Sequence, residues 1–429
     1  MTNHLTWTHR VPSGWAVKPL RAVSNYVVSN VDKIPVDGEP AVRLCNYSDV
    51  YNNEFITQHL EFMACTATED EIRKFRLLVD DVIITKDSES WDDIGIPALV
   101  VETADDLVCG YHLALLRPYE TVLSGRFLLR CLQAKVLRLQ LELAANGVTR
   151  FGLPKSEIGA MRLPVPPLEC QLAIADFLDR ETARLDSLVA AKQRVLRLLT
   201  EKRKAIIATA VTHGLDPKVK LRDSGVPWLR EIPAHWEIER ARWLFHERDV
   251  RSTTGEEEML TVSHLTGVTP RSEKDVNMFE AETNEGYKLC EPGDLVINTL
   301  WAWMGAMGIA PVKGIVSPAY NVYEPGPRLA NAYVDALVRL PVFAQEVTRY
   351  SKGVWSSRLR LYPEGFFEVY LPVPPQEEQR AVVEHIARET AKLDAVRVAT
   401  ERTIALLKER RSALIAAAVT GQLDAGAAA

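Results

Sequence analysis

Two stretches of the chain carry the hydrophobic spacing of long helices. In residues 168–213, apolar side chains recur at intervals of three, four and seven positions: Leu178, Leu185, Leu188, Val195, Leu199 and Ile206. Residues 376–420 repeat this spacing: Ile386, Leu393, Val396, Leu407, Leu414 and Ala418. Charged side chains lie between them, as is typical of heptad-based helix packing. The pattern therefore predicts two long amphipathic helices.

Proline and glycine mark the ends of both helices. Double prolines at 166–167 and 374–375 precede them, and Gly214 and Gly421 follow them, with neither residue type in between. A helix of about 45 residues is about 65 Å long at 1.5 Å per residue. Because an apolar seam of this length is unstable in water, we expect the two seams to pack against each other, with the helices antiparallel.

The helical stretches belong to an internal repeat. The run LPVPP at 163–167 recurs at 371–375, and the copies then align without a gap as far as Asp216 and Asp424. The offset is 208 residues, and roughly half of the positions are identical. Such a repeat indicates one structural unit used twice.

The similarity upstream of the helices is weaker. VPSGW at 11–15 echoes IPAHW at 232–236, and DVII at 81–84 echoes DLVI at 294–297. The layout predicts a diverged globular part followed by a well-matched helix, and then both again.

The globular parts have the pattern of mixed α/β domains. Runs rich in β-forming residues are separated by Gly, Pro, Asp and Asn: 78–85, 98–102, 295–299 and 321–324. Shorter helices are predicted at 125–144 and 331–348, and a linker at 223–233. The fold class is therefore α+β, with two mixed α/β domains separated by two long antiparallel helices in a pseudo-two-fold repeat. We predict domains at 1–165 and 223–373, a helix with linker at 166–222, and a second helix at 374–429.

Composition narrows the functional class. The 429 residues are 47% apolar and 25% charged, which is ordinary for a folded globular protein. With no run of about 18 apolar residues and no signal-peptide pattern, we expect a cytoplasmic protein that does not span a membrane. The net charge of −6 argues against a uniformly basic, non-specific nucleic-acid binder but permits a local basic cleft.

The sequence offers no recognisable catalytic or cofactor motif. It has no Gly-Lys dipeptide for a phosphate-binding loop, no Gly-x-Gly, no His-Glu-x-x-His and no Gly-x-Ser-x-Gly. The six cysteines stand singly, which favours reduced, buried thiols over a zinc site: Cys45, Cys65, Cys109, Cys131, Cys170 and Cys290. We therefore predict no catalytic residue, no metal site and no cofactor in this chain.

Several motifs, taken in order, resemble one family. LPVPPxxxQ precedes each long helix, at 163–171 and 371–379, and DSGVPWL with IPxxW occupies 223–236. VSHxTGV at 262–268 is followed by PGDLVIN at 292–298 and by SPAY at 317–320. Across essentially the whole chain, this order resembles the DNA-specificity subunits of type I restriction-modification enzymes. The first globular part departs from the pattern, with Val79-Asp80-Asp81 where the second has Pro292-Gly293-Asp294.

The resemblance implies a non-catalytic subunit of a site-specific endonuclease and adenine methyltransferase complex. In that family, two target-recognition domains each read one half of a bipartite duplex target. The helices set the spacing and dock two methyltransferase subunits, and two restriction-translocase subunits complete the hetero-oligomer. S-adenosylmethionine, ATP and Mg²⁺ belong to these partner subunits.

The repeat has a physical logic that agrees with this resemblance. Antiparallel helices related by a two-fold axis would offer equivalent faces to two copies of one partner. The helices would then have to stay alike, whereas the globular parts would differ because each reads different bases. This is the contrast that the sequence shows.

The candidate DNA-contacting residues lie on loops that occupy equivalent places in the repeat. Base readout requires polar or aromatic side chains that reach a groove, and cations hold the phosphates. The candidates are Lys86, Ser88, Trp91, Arg150, Lys155, Thr299, Trp301, Trp303, Lys352, Ser356, Arg358 and Arg360. The helix residues expected at subunit interfaces are Leu185, Leu199, Ile206, Leu393, Leu407 and Leu414.

Two other functions remain open at this point. The chain could be a self-contained DNA nuclease or methyltransferase with an unrecognised site, or a coiled-coil scaffold that binds only protein. Activity of the purified chain alone would favour the enzyme, and failure to retain a defined split duplex would favour the scaffold.

Overall fold

The computed structural model describes residues 7–8, 11–273, 283–353 and 359–423. The chain divides into two compact units. Unit 1 is Met1–Gln193 with Glu401–Ala429, and unit 2 is Arg194–Thr400. Each unit therefore holds one globular part, the first half of the long helix that follows it, and the last half of the other long helix.

Unit 1 is built from short strands and helices that precede the first long helix. Its strands are β1 (Ala16–Pro19), β2 (Ser24–Val28), β3 (Ala41–Cys45), β4 (Phe55–Ile56), β5 (Met63–Thr66), β6 (Val82–Thr85), β7 (Asp87–Ser88), β8 (Pro97–Val100), β9 (Leu107–Cys109), β10 (Leu113–Pro118), β11 (Asn146–Gly147), β12 (Phe151–Gly152) and β13 (Arg162–Val165). Its helices are α1 (Tyr47–Asn52), α2 (Glu69–Phe75), α3 (Gly125–Gln133), α4 (Lys135–Ala144) and α5 (Lys155–Ala160), followed by the start of α6 (Leu168–His213).

Unit 2 begins within α6 and ends within the second long helix. Its strands are β14 (Leu221–Asp223), β15 (Glu231–Pro233), β16 (Glu237–Arg240), β17 (Phe245–Glu247), β18 (Leu260–Ser263), β19 (Gly267–Pro270), β20 (Lys288–Cys290), β21 (Leu295–Asn298), β22 (Met307–Ile309), β23 (Gly314–Val316), β24 (Tyr320–Pro325) and β25 (Tyr370–Val373). Its helices are α7 (Ala241–Leu244), α8 (Asn331–Val338), α9 (Pro341–Arg349) and α10 (Pro363–Phe366), followed by α11 (Gln376–Val419).

The main sheets of the two units share the order of four strands, and the sheet of unit 1 has β4 as a fifth strand at its edge. In unit 1 the order is β2-β10-β6-β8-β4, and in unit 2 it is β17-β24-β21-β22. The central strands β6 and β21 are antiparallel to both neighbours, and all four residues of each are buried. The strands that carry the Leu-Pro-Val motifs also pair alike, β13 with β1 and β25 with β16. The weak upstream similarity therefore reflects one fold used twice.

Three local predictions from the sequence differ from the structure. The strand predicted at 78–85 begins only at Val82, because Asp80 has a left-handed φ of 73° and the Asp81 carboxylate accepts the backbone N–H of Leu78. The helix predicted at 125–144 breaks at Ala134, whose ψ is 110°, and the one at 331–348 breaks before Pro341. The linker predicted at 223–233 is closed by the β14–β15 hairpin.

The long helices are confirmed, at 46 residues for α6 and 44 for α11. Each ends at a glycine with a left-handed backbone, φ 73° at Gly214 and φ 72° at Gly421. Each glycine also packs against a Pro-x-x-Trp turn, at 233–236 for Gly214 and at 12–15 for Gly421. A side chain at Gly214 would press against Trp236, and one at Gly421 would collide with Pro12. The stop signals are thus fixed by both conformation and packing.

Within each unit the two helix segments run antiparallel, as the sequence predicts. In unit 1, Arg411 pairs with Asp186 at 3.1 Å, and residues 174–178 share a core with 415–419. In unit 2, Arg203 pairs with Asp394 at 2.8 Å, and residues 210–211 share a core with Val382. In both units, positions later in one helix contact positions earlier in the other, which is the antiparallel arrangement. The two ion pairs are also repeat equivalents, since both the arginines and the aspartates are 208 residues apart.

The seam of the helix pair differs in part from the predicted one. In α6 it follows positions 182, 185, 189, 192, 196, 199 and 203, with alternating steps of three and four. Leu188 and Val195 are each one residue off this line and are exposed, as is Val396 in α11. The prediction that these three side chains belong to the seam was wrong, because intervals of seven alone do not identify which helix face is buried.

A buried glutamine joins each globular part to its long helix. The Gln171 side-chain oxygen accepts the N–H of Ser124, and its amide donates to the carbonyls of Val122 and Pro166. Gln379 makes the matching bonds to Ala330, Arg328 and Pro374. Both glutamines are fully buried, so the glutamine of each LPVPPxxxQ motif fixes its domain on the helix.

Unit 1 has a further, charged anchor. The Arg130 guanidinium is 2% exposed and bonds to Glu54 at 2.6 Å and to Asp179 at 2.6 Å. Glu54 also binds Arg411, and Asp179 also binds Arg126, so this charged cluster links the domain to both long helices within the unit. In unit 2, alanines occupy the matching positions of Arg126, Arg130 and Asp179: Ala332, Ala336 and Ala387.

We expect Arg130→Ala to lower the free energy of unfolding by about 3 kcal/mol, because it removes the buried guanidinium that joins Glu54 and Asp179 and leaves each carboxylate with one, more exposed arginine partner. The value is at the low end for such pairs because Glu54 and Asp179 keep some contact with water. Urea denaturation followed by circular dichroism measures it. The matched control is Arg184→Ala, whose side chain is 73% exposed and 3.9 Å from Glu181 and should change stability by less than about 0.5 kcal/mol. Equal effects of the two changes would contradict the anchor.

Candidate nucleic-acid interface

The central strands of the two units end at equivalent loops. The last residue of β6, Thr85, pairs with Leu113 at the start of β10, and the last residue of β21, Asn298, pairs with Tyr320 at the start of β24. A cavity opens beside each of these loops, lined by residues that follow the central strand and precede its partner. The two cavities differ in chemistry.

The cavity of unit 1 is polar and charged. Its volume is about 640 Å³, and it is lined by Lys33, Tyr47, Asp87, Ser88, Glu89, Asp93, His112, Thr149 and Arg150. Asp87 is its centre, accepting from Lys86 Nζ at 2.9 Å and contacting His112 Nδ1 at 2.6 Å. Arg150 Nη2 lies 3.0 Å from His112 Nε2 and can only donate, so we assign the imidazole proton to Nδ1, which donates to Asp87.

Burial and hydrogen bonding keep the phenols near this cavity protonated. Burial raises the pKa of Tyr47, and a hydrogen bond to the Asp93 carboxylate raises the pKa of Tyr51. The side chains of Lys33 and Arg150 are exposed at the rim. The unit 1 cavity therefore offers both cations for phosphates and carboxylates that can accept from base amino groups.

The cavity of unit 2 is aromatic and apolar. Its volume is about 590 Å³, and it is lined by Met259, Leu260, Thr261, Val262, Ser263, His264, Arg271, Tyr287, Asn298, Leu300, Trp301, Ser317, Ala319 and Tyr320. Asn298 donates to the Tyr320 hydroxyl at 3.0 Å and accepts the N–H of Leu300. Burial raises the pKa of Tyr320, so its phenol keeps its proton at neutral pH.

A rigid turn holds Trp301 at this cavity. The Trp301 N–H donates to the carbonyl of Asn298, and its own carbonyl accepts from the N–H groups of Met304 and Ala306. Trp303 Nε1 donates to the carbonyl of Leu300 at 3.0 Å, and Thr299 Oγ1 donates to the carbonyl of Ala319 at 2.7 Å. Thr299 and Trp303 thus stabilise the turn, whereas the Trp301 side chain is 51% exposed.

The remaining sequence candidates occupy several places. Ser88 is buried in β7 and its hydroxyl accepts the N–H of Ser90, while Trp91 is exposed on the loop that follows. Lys155 begins α5, with its ammonium 5.7 Å from the Tyr26 ring centroid. Lys352 and Arg360 form a backbone bridge and both side chains are exposed. Ser356 and Arg358 lie outside the described residues.

Sequence reasoning missed several residues that line the cavities: Tyr47, His112, His264, Arg271 and Tyr287. Position in the repeat could have found two of them, since His112 directly precedes β10 and His264 directly follows β18, at the ends of strands that flank the cavities. The others come from loops whose path the sequence does not specify.

The six helix residues expected at subunit interfaces lie in the seam of the helix pair. Leu185 is buried and the other five are half-buried. Exposed apolar side chains sit beside the seam instead, at Leu188 and Leu406 in unit 1 and at Leu198 and Val396 in unit 2. These four positions form two repeat-equivalent pairs, Leu188 with Val396 and Leu198 with Leu406, each 208 residues apart.

The part of the chain that the structure describes shows no metal-binding cluster: no three His, Cys, Asp or Glu side chains in it are grouped so that they could hold a metal ion. No helix within it combines the length and the apolar character needed to cross a bilayer.

Solved structures share this fold. The HsdS subunit from Thermoanaerobacter tengcongensis aligns with a TM-score of 0.54 and 19% identity, over 96% of this chain and 98% of that one. A chain from a structure of a type I restriction-modification system, solved to explain its assembly and conformational transition, gives a TM-score of 0.66 at 18% identity over 96% and 99%. The fold is therefore that of HsdS-type specificity subunits.

Curated relatives point to the same group. A protein named as the MjaX type I restriction enzyme specificity subunit of Methanocaldococcus jannaschii is 23% identical over 88% of this chain and 87% of its own length. The EcoKI specificity subunit of Escherichia coli K12 is 24% identical over 49% of this chain and 45% of its own length. No family model matches the sequence. The resemblance drawn from the motifs is confirmed, and the chain is a homologue of type I restriction enzyme specificity subunits.

Proposed function

We propose that this chain is the non-catalytic DNA-specificity subunit of a type I restriction-modification complex. The domains at 1–165 and 223–373 each bind one half of a bipartite duplex target, and α6 and α11 set the distance between the halves. The observation that carries this proposal is the contrast between the units. The hydrogen bonds of the two buried glutamines and the arginine–aspartate pair of the long helices recur in both units, whereas the cavities at equivalent loops differ in charge and lining.

The partners follow from the same proposal. Two methyltransferase subunits dock on the helices and two restriction-translocase subunits join them, and these partners supply S-adenosylmethionine, ATP and Mg²⁺. The complex acts on DNA in the cytoplasm. This chain contributes recognition and geometry, and its own residues carry out no chemical step.

Methylation mapping of host DNA with and without this chain tests the function. Loss of methylation at a single split motif on deletion is the expected result, and the complex should retain that duplex over a scrambled one at a fixed, moderate salt concentration. Cleavage or methylation by the purified chain alone would favour a self-contained enzyme instead. Equal retention of both duplexes would favour a scaffold.

The exposed apolar pairs on the helices predict the stoichiometry of docking. Changing Leu198 and Val396 to Glu should remove one methyltransferase subunit, and changing Leu188 and Leu406 to Glu should remove the other, because a buried, unpaired carboxylate opposes each contact. Native mass spectrometry of the complex counts the subunits. Val250→Glu, at an exposed loop position of unit 2, is the control and should leave both bound. If the variant with all four changes still binds both methyltransferase subunits, these surfaces are not the docking sites.

A further inference from the structure

The cavity of unit 2 presents apolar surface where unit 1 presents charge. At the equivalent places after the central strands, unit 1 has Asp87 and Ser88, whereas unit 2 has Leu300 and Trp301. Tyr287 and Leu260 extend the apolar wall of unit 2. If both loops face DNA, as the proposed function requires, the two loops must recognise different chemical features of their half-sites.

Trp301 is an exposed aromatic residue on a turn whose backbone is hydrogen-bonded. Three backbone hydrogen bonds hold the residue in its turn, at 3.0 Å to Asn298, 3.0 Å from Met304 and 3.1 Å from Ala306. Half of the large apolar ring nevertheless remains in water. A tryptophan side chain has only two rotatable bonds, so an exposed one on a hydrogen-bonded turn loses little conformational entropy on binding and is typical of a recognition anchor.

The chemistry of duplex DNA narrows what this surface can contact. Phosphates favour cations, and most base-edge groups require hydrogen-bond partners. The C5 methyl group of thymine is the apolar group that base edges present in the major groove, and the O4 acceptor lies beside it. The Tyr320 hydroxyl lines the same cavity and accepts from Asn298, which leaves its own hydrogen available to an acceptor such as O4.

We propose that the cavity of unit 2 recognises thymine in its half-site, with the Trp301 ring contacting the C5 methyl group. This inference rests on the proposed function and adds the chemical group that one domain reads. Thymine is favoured over an extruded base stacked on Trp301, because contact with the methyl group leaves base pairing intact whereas extrusion costs a few kcal/mol.

Replacing thymine by uracil removes the methyl group and keeps pairing, so it tests the contact directly. The assembled methyltransferase complex is titrated with duplexes in which each thymine of the unit 2 half-site is changed in turn, after methylation mapping has located that half-site. We expect the affinity to fall about fourfold at one position at least, as for one methyl group returned to water. Uracil in the unit 1 half-site should have no effect that depends on Trp301.

Variants of Trp301 test whether this residue is responsible for the loss of affinity on replacing thymine by uracil. Trp301→Ala should weaken binding to the thymine duplex, so that this variant binds the thymine and uracil duplexes with equal affinity. Trp301→Phe should keep part of the preference for thymine over uracil. Trp243→Ala removes a tryptophan of the same unit that is 72% exposed and lies outside the cavity, so it should keep the full fourfold difference.

Three results would overturn the inference while leaving the proposed function intact. A unit 2 half-site with no thymine on either strand excludes it, as does wild-type binding that is indifferent to every thymine-to-uracil change. Discrimination that survives in Trp301→Ala assigns the methyl contact elsewhere. A rise in 2-aminopurine fluorescence on binding, without any uracil effect, would indicate an unstacked base. If no duplex is bound specifically, the proposed function fails and this inference fails with it.

Discussion

A chain in which residues 223–370 are replaced by the matching segment of another specificity subunit is expected to change one half of its DNA target and keep the other. The segment contains the unit 2 cavity and the Lys352–Arg360 bridge, and it leaves both long helices and the unit 1 cavity untouched. Affinity for the original target should fall about a hundredfold or more, because each mismatched base pair costs about 1–3 kcal/mol.

Methylation mapping with the exchanged chain reads both halves in one experiment. The reciprocal exchange of residues 1–165 is the matched control and should alter the other half only. Loss of methylation at all sites, in a complex that still assembles, would show that the domains do not read independently.

Matched insertions of seven residues in both long helices are expected to lengthen the spacer of the target by about three base pairs. Seven residues add about 10 Å of helix at 1.5 Å each, and base pairs are about 3.4 Å apart. The insertions belong between Arg194 and Val195 and between Arg402 and Thr403, which are repeat equivalents. An insertion of seven residues is one full heptad, so the buried face continues on both sides of it.

The ion pairs explain why both helices must be changed. Arg203 follows Asp186 by 17 positions in α6, and Arg411 follows Asp394 by 17 positions in α11. An insertion in α6 alone makes these intervals unequal, so the Arg411–Asp186 and Arg203–Asp394 contacts can no longer form together. We expect the single insertion to lower stability and the double insertion to retain it. An unchanged spacer in the double variant, measured by methylation mapping, would remove the role of helix length.

The sequence predicts the helices and the repeat well because both depend on local, periodic features. Proline and glycine set the ends of α6 and α11, and the offset of 208 residues places Asp186 with Asp394 and Arg203 with Arg411. The positions of the central strands β6 and β21 follow from buried aliphatic runs. The helix ends and the ion-pair positions recur because each long helix makes the same arginine–aspartate contact with the other helix.

The seam and the cavities were less predictable because they depend on contacts between distant segments. Leu188 and Val195 satisfy heptad-like intervals but lie one residue from the buried line. His112 and Arg150 meet across 38 residues of sequence, and no motif marks the contact of His112 with Asp87. Ser88 and Trp301 line the cavities and could be proposed from the sequence because they follow a recognisable strand, whereas Tyr287 comes from a loop without such a marker.

The charged cluster of unit 1 should make the stability of unit 1 more sensitive to acid than that of unit 2. Burial alone would raise the pKa of Asp179, but hydrogen bonds from Arg126 and Arg130 outweigh it and hold that pKa below its usual value. The stabilisation is therefore present above the ordinary aspartate pKa of 3.8 and is lost as the pH falls through the lowered value. Unit 2 has alanine at the matching positions and lacks this cluster, and its Asp394, whose pKa Arg203 lowers, lies in a half-exposed pair that stabilises less.

Acidification below the ordinary aspartate pKa of 3.8 should therefore loosen unit 1 before unit 2, which amide hydrogen exchange of the two segments would show as earlier loss of protection around α3. Equal loss in both units would contradict this order. At a pH where unit 1 is loosened and unit 2 is still folded, the chain would keep one DNA-binding domain. Its affinity for DNA would then fall, because binding at two sites would become binding at one.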